Sequence, residues 1–319
     1  MTTYKDIRGT HIKTVTTDPP APVSGQMWYN STTQVMKGFT DSPGAWATAS
    51  NLNTARAYLG GGGTQTSALA FGGEPGSGTT ANTESWNGSS WTEVNNLNST
   101  RRNLGGCGAD STNALAMGGF PGFVAVCETW NGSSWTEVAD LNTGKRNMGV
   151  TGTNTASLVA GGATPSATAQ TETWNGSSWT EVNDLNKARS ELAAAGTTSN
   201  ALAFGGDTAP NAETEVWDGS SWTEVNDLNT GGAYVGGSGI YTAAICIGRS
   251  IPSSPRGLTE LWNGSNWTEA SDLNAGRSAL GAGGTQAATL AFGGETPPIS
   301  AATESWNAPA ANTVTFTAS

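Results

Sequence analysis

Tryptophan recurs in pairs at a fixed interval through most of this 319-residue chain. The first of each pair is Trp86, Trp130, Trp174, Trp217, Trp262 or Trp306, at separations of 44, 44, 43, 45 and 44 residues. The second is Trp46, Trp91, Trp135, Trp179, Trp222 or Trp267, and of the 13 tryptophans only Trp28 lies outside both series. A period near 44 residues marks a repeat architecture, in which one unit cannot bury its own apolar faces and must stack on the next. Each unit divides into four short runs, as in RAYLGGGGT (56–64), SALAFGG (67–73), TESW (83–86) and WTEV (91–94). Clusters of Gly, Asn, Ser and Pro bound these runs, and no helix-length apolar period occurs, so they predict strands. Four strands per 44 residues predict a blade of an all-β propeller.

The hairpin WNGSSW joins the third and fourth strands. Asn-Gly, or Asp218-Gly219 in the fourth copy, suits a two-residue type I′ turn, which needs positive φ at both central positions. That turn sets Glu84 opposite Trp91. A four-residue loop would instead oppose Glu84 to Glu93, and like charges face to face are unfavourable, so the tight turn is the expectation. The tryptophans share one face with these glutamates and are expected to form the mortar between blades. Burying about 150–250 Å2 each is worth on the order of 4–6 kcal/mol as an upper figure.

A glutamate stands two residues before the first tryptophan in all six copies: Glu84, Glu128, Glu172, Glu215, Glu260 and Glu304. A basic residue opens the first strand in five, as Arg56, Arg101, Lys145, Arg189 and Arg277, with Gly232 in the remaining copy. Sixfold recurrence points to structural ion pairs, because a single site rarely needs six copies.

Composition removes several functions. The one histidine, His11, leaves no usual His/Cys zinc site or histidine acid/base pair. The formal charge of −11 argues against nucleic acid as a partner. Cys107, Cys127 and Cys246 form no CxxC pair and read as small core residues. No run has the length and apolarity of a secretion signal or a membrane span, so folding in the cytoplasm of the cell that makes the chain and no membrane insertion are expected. No catalytic, cofactor or metal residue is assigned, and the chain is not expected to be an enzyme.

The repeats resemble the kelch family of β-propellers. The resemblance rests on Gly-Gly at the end of the second strand (72–73, 118–119, 161–162, 205–206, 293–294) and on the aromatic pair around the third and fourth. It spans roughly residues 46 to 307, and the fifth copy departs with Gly248-Arg249. It implies a six-bladed wheel over 45–307, closed by AWATAS around Trp46 joining the last third strand at Trp306. The alternative is seven blades, with TVTFT (313–317) filling that place while GQMWYN (25–30) and QVMKGF (34–39) start another. Kelch-type galactose oxidase holds copper, a site this chain's single histidine cannot build.

Residues 1–44 lack the repeat and are expected to form an arm with a short β-hairpin, and 308–319 a C-terminal tail strand. PVSGQMWYNSTTQVMKGF resembles a hairpin near the N-termini of bacteriophage tail-fibre and other virion proteins. The tandem WNGSSWTEVxDLN units resemble kelch-like structural proteins of marine phages. These resemblances imply a virion protein: a tail-fibre, receptor-binding component anchored through 1–44 to other virion proteins, with a host surface glycan or protein as its target. A homo-oligomer is implied, a trimer among the options. The alternative is a structural decoration or adaptor protein of the head or tail without host contact. The second-to-third connections differ in every copy, whereas the strands and fourth-to-first links are nearly uniform. Loops on a rigid scaffold carry recognition, which makes Phe120, Phe123, Arg249 and Arg256 the candidate contacts.

Overall fold

The computed structural model describes residues 12–20, 22–23, 25–42, 44–251 and 254–316. The chain divides into two compact units, one of 45–307 and one that combines 1–44 with 308–319. Among the described residues all the regular structure is β, in seven four-stranded sheets.

Six sheets belong to 45–307, one per repeat. The first contains Gly60–Thr64, Ser67–Phe71, Thr83–Trp86 and Trp91–Val94, paired antiparallel in sequence order. The first strands of the six sheets lie side by side, and the sixth, Gly281–Thr285, returns to the first. Glycine makes that approach possible, since a Cβ on Gly62 would stand 2.5 Å from the backbone nitrogen of Gly108 in the next sheet. The second strands are buried on both faces, while the fourth expose their middle residues at the outside. The sixth sheet is completed by Ala45–Ala49 against Thr303–Asn307, with Trp46 opposite Trp306.

The paired tryptophans are 0–6% exposed. Across each junction the second indole meets the second strand of the preceding sheet. Trp91 lies 5.0 Å from Phe292, Trp135 4.9 Å from Phe71 and Trp267 5.0 Å from Phe204, each ring edge to face. The same indoles donate into that preceding sheet: Trp91 Nε1 to Thr303 Oγ1 (3.0 Å), Trp135 to Thr83 (3.1 Å), Trp222 to Thr171 (3.1 Å), Trp267 to Thr214 (3.0 Å) and Trp46 to Thr259 (3.0 Å). Cys127 occupies the threonine position facing Trp179, whose Nε1 has no hydroxyl to receive it.

The hairpin register differs from the expectation. Trp86 pairs with Trp91 and Glu84 with Glu93, so the loop has four residues. Asn87 Oδ1 accepts from the backbone of Ser89 and Ser90, both at 2.9 Å, and only Gly88 in the loop takes a positive φ. An Asx-type cap therefore outcompetes the two-residue turn. The two glutamates coexist because Glu84 is buried against Arg56 while Glu93 faces water.

The smaller unit contributes the seventh sheet. Lys13–Val15 runs parallel to Met27–Asn30, which forms a hairpin with Val35–Ser42, and Ala310–Phe316 pairs antiparallel to Val35–Ser42. Trp28 is fully buried and donates to Asp18 Oδ1 at 2.9 Å, as does Asn30 Nδ2 at 2.7 Å. Lys37, at 2.6 Å, is the largest of the influences holding the Asp18 carboxyl at about 2. The sheet count is thus seven, where the repeats alone predict six. The C-terminal run sits beside Val35–Ser42, not beside Trp306 as the seven-blade alternative assigned it, because Ala45–Ala49 already occupies that edge.

Candidate functional site

The sixfold glutamates are buried in every copy and ion-paired. Arg56–Glu84 and Arg101–Glu128 are each 2.7 Å, Lys145–Glu172 2.9 Å and Arg189–Glu215 3.1 Å, and Arg277 contacts Glu304. The asparagine of the DLN-type link adds two bonds in five copies, as when Asn53 N (2.7 Å) and Nδ2 (2.8 Å) donate to Glu84 Oε2, while in the sixth Asn274 N donates to Glu304 and its Nδ2 to the carbonyl of Trp46. Burial pushes the Arg56, Arg101 and Arg189 guanidinium groups down, and their glutamates oppose it.

The fifth copy corrects one expectation. Arg249 is a buried structural cation, not a surface contact: it is 0% exposed and its Nη1 lies 2.8 Å from Glu260 Oε1. It also donates to the carbonyl of Thr230. This copy has Gly232 where the others carry the basic residue, and a Cβ there would strike Arg249 Cβ at 2.8 Å. The guanidinium is delivered from the second strand instead of the first, which explains why Gly-Gly becomes Gly248-Arg249. The backbone of Arg256 pairs with that of Arg249, and its side chain lies outside the described residues.

Phe120 and Phe123 come together on one rim. The Arg102 guanidinium lies 4.9 Å from the Phe120 ring, and Arg146 lies 5.6 Å from Phe120 and 5.0 Å from Phe123. Phe123 is 38% exposed and Phe120 half-buried. An isolated bridge joins Arg102 to Phe120, one residue from the axial mouth described next.

That mouth was missed in the sequence. Two residues beyond each first-strand basic position, or beyond Gly232, stand Tyr58, Asn103, Asn147, Glu191, Tyr234 and Ala279. They form a collar linked by backbone bonds: Asn103 N donates to Tyr58 O (2.8 Å), Asn147 to Asn103 (3.0 Å), Glu191 to Asn147 (2.7 Å), Ala279 to Tyr234 (3.0 Å) and Tyr58 to Ala279 (2.9 Å). All six have left-handed backbone, with φ from +50° to +62°, and they are six of the eight such non-glycine residues described. That conformation costs roughly 1–2 kcal/mol for a residue bearing Cβ, less for asparagine. Glycine would remove the cost and this chain uses it freely elsewhere, so the backbone conformation alone does not account for these side chains.

The collar lines a cavity of about 120 Å3, with Leu59, Leu104, Met148, Leu192, Val235 and Leu280 beneath it. Small Ala279 lets Tyr58 and Tyr234 meet across it, edge to face at 5.2 Å. The Tyr58 hydroxyl donates to Glu295 and the Tyr234 hydroxyl to Glu191. Asn103 Nδ2 donates to Asn147 Oδ1 at 2.6 Å on the opposite side. Burial pushes both phenols up, aided by the neighbouring carboxylates, and burial also raises Glu191. Among the described residues no group of three or more His, Cys, Asp and Glu is placed to hold a metal. A larger groove of about 540 Å3 is lined by Thr48, Gln65, Trp86 and neighbouring small residues, without a charged side chain.

Repeated four-stranded sheets around a polar axial mouth define a β-propeller. The chain is similar to the β-propeller protein in the solved structure titled "Structure of YjhT", with a TM-score of 0.65, 13% identity, and coverage of 83% of this chain and 99% of that one. At that identity the likeness shows the fold alone. No protein-family model matches the sequence, and no curated protein matches it.

Proposed function

We propose that this chain is a non-catalytic structural or adaptor component of a bacteriophage particle. The six repeats form a rigid kelch-like wheel, and the smaller unit attaches to neighbouring subunits of the virion. The observation that carries the reading is the placement of apolar surface. Of the six exposed large hydrophobic residues among those described, Ile12 (43%), Val23 (68%) and Phe316 (45%) belong to the small unit. Three such side chains on the smaller of the two units suit its association with other subunits. The repeat unit, by contrast, invests its tryptophans and ion pairs in internal rigidity.

A second reading, a tail-fibre component that binds a host receptor, is favoured by the rim bearing Phe120, Phe123 and the varied second-to-third connections. Immunogold labelling of purified phage particles tests both. Label on the particle, with host adsorption unaffected by a Fab against the variable rim, supports the adaptor. Adsorption blocked by that Fab supports the receptor binder, and particles without label overturn both.

A further inference from the structure

Each feature that builds the wheel is written nearly alike in six copies, whereas the collar reads Tyr, Asn, Asn, Glu, Tyr, Ala at equivalent backbone positions. A ring needed only for closure would repeat one residue, and glycine would serve it with least strain. Asymmetric side chains held at a conformational cost over a cavity are the signature of a site shaped to a ligand.

We propose that the axial mouth binds a short-chain alkylammonium ion, its hydrocarbon end among the apolar residues beneath the collar and its cationic head between the tyrosine pair and Glu191. Three observations select this class. First, the cavity of about 120 Å3 is slightly smaller than the ~150 Å3 apolar cavity that accepts benzene, so a ligand with about five heavy atoms fits and a hexose does not. Second, its walls are graded, with leucines, Met148 and Val235 below and phenols, amides and a carboxylate above, which suits one apolar and one charged end. Third, Tyr58 and Tyr234 pack edge to face beside Glu191 and Glu295, each carboxylate accepting one phenol hydroxyl and keeping acceptor capacity. Aromatic faces and carboxylates together stabilise an ammonium better than either alone. Arg146 also acts on Glu191, but its guanidinium is engaged over Phe120 and Phe123. The site does not depend on where the protein sits in a particle.

Saturation-transfer NMR on the full chain tests this with n-butylammonium, butan-1-ol, butyrate and methyl α-glucopyranoside. The expected result is saturable binding of butylammonium, at least tenfold tighter than butanol, with none of butyrate or the glucoside. Glu191→Gln weakens the ammonium at least tenfold without lowering the melting temperature, and Tyr58→Leu weakens it too. Equal affinity for butanol, binding unchanged in Glu191→Gln, tighter binding of the glucoside, or no saturation overturns the assignment. The particle-labelling result stands or falls separately.

Discussion

Exchanging Gly232 and Arg249 tests whether the fifth copy reroutes the structural cation of the other five. In Arg249→Gly the Glu260 carboxylate, 1% exposed in the parent protein, loses the guanidinium that covers it. It keeps Asn229 N (2.8 Å), Asn229 Nδ2 (2.9 Å) and Thr230 N (3.2 Å), but loses its only positive partner within ion-pair distance among the described residues. Removing one member of a buried pair costs about 3–5 kcal/mol, because the remaining charge is uncompensated. For a unit of this size, that lowers the melting temperature by roughly 6–20 °C. Gly232→Arg alone is also destabilising, since every atom that its Cβ meets within about 3 Å belongs to Arg249, and a second guanidinium would enter without a second carboxylate. Gly232→Arg with Arg249→Gly clears those atoms and restores the arrangement of Arg189 with Glu215. The double variant is therefore expected within about 1 kcal/mol of the parent, with a coupling energy of about 3 kcal/mol or more in the cycle. Thermal unfolding followed by circular dichroism reads all four proteins. A near-neutral Arg249→Gly, or a double variant no better than the worse single one, refutes the reasoning.

Glu191→Gln is expected to raise the melting temperature at pH 8 and to leave it unchanged near pH 3.5. Burial raises the folded-state pKa of Glu191, so its favourable contribution is full below the unfolded pKa and is lost as pH rises through the folded one; a pH series of melting curves checks the sign. Cys127→Thr supplies Trp179 Nε1 with the hydroxyl used at five other junctions, and should add about 1 kcal/mol, or roughly 2–4 °C in the same assay; a loss of stability would mean that junction has no room for the methyl. Burial pushes the thiols of Cys107, Cys127 and Cys246 up to about 12, so none should react with a disulfide reagent at pH 8 until denaturant is added. A thiol titrating in the native protein would contradict their burial.

The sequence by itself determined the strand content, the period, the tryptophan mortar and the closing partnership of Trp46 with Trp306. These repeat, and a feature written six times in register is legible in one dimension. The structure decided what depends on one copy or on residues far apart. Arg249 looked like a surface cation because its partner, Glu260, and the vacancy at Gly232 meet it only after folding. The hairpin register turned on a side-chain cap from Asn87, a local competition that Asn-Gly alone leaves open. The C-terminal run could pair with two edges, and chain order does not say which is already filled. The collar was written in plain view, as a varied position inside otherwise uniform links. Its geometry came only when ring closure brought Tyr58 beside Tyr234, residues 176 apart, and six side chains of four kinds, on left-handed backbone, came to line one cavity.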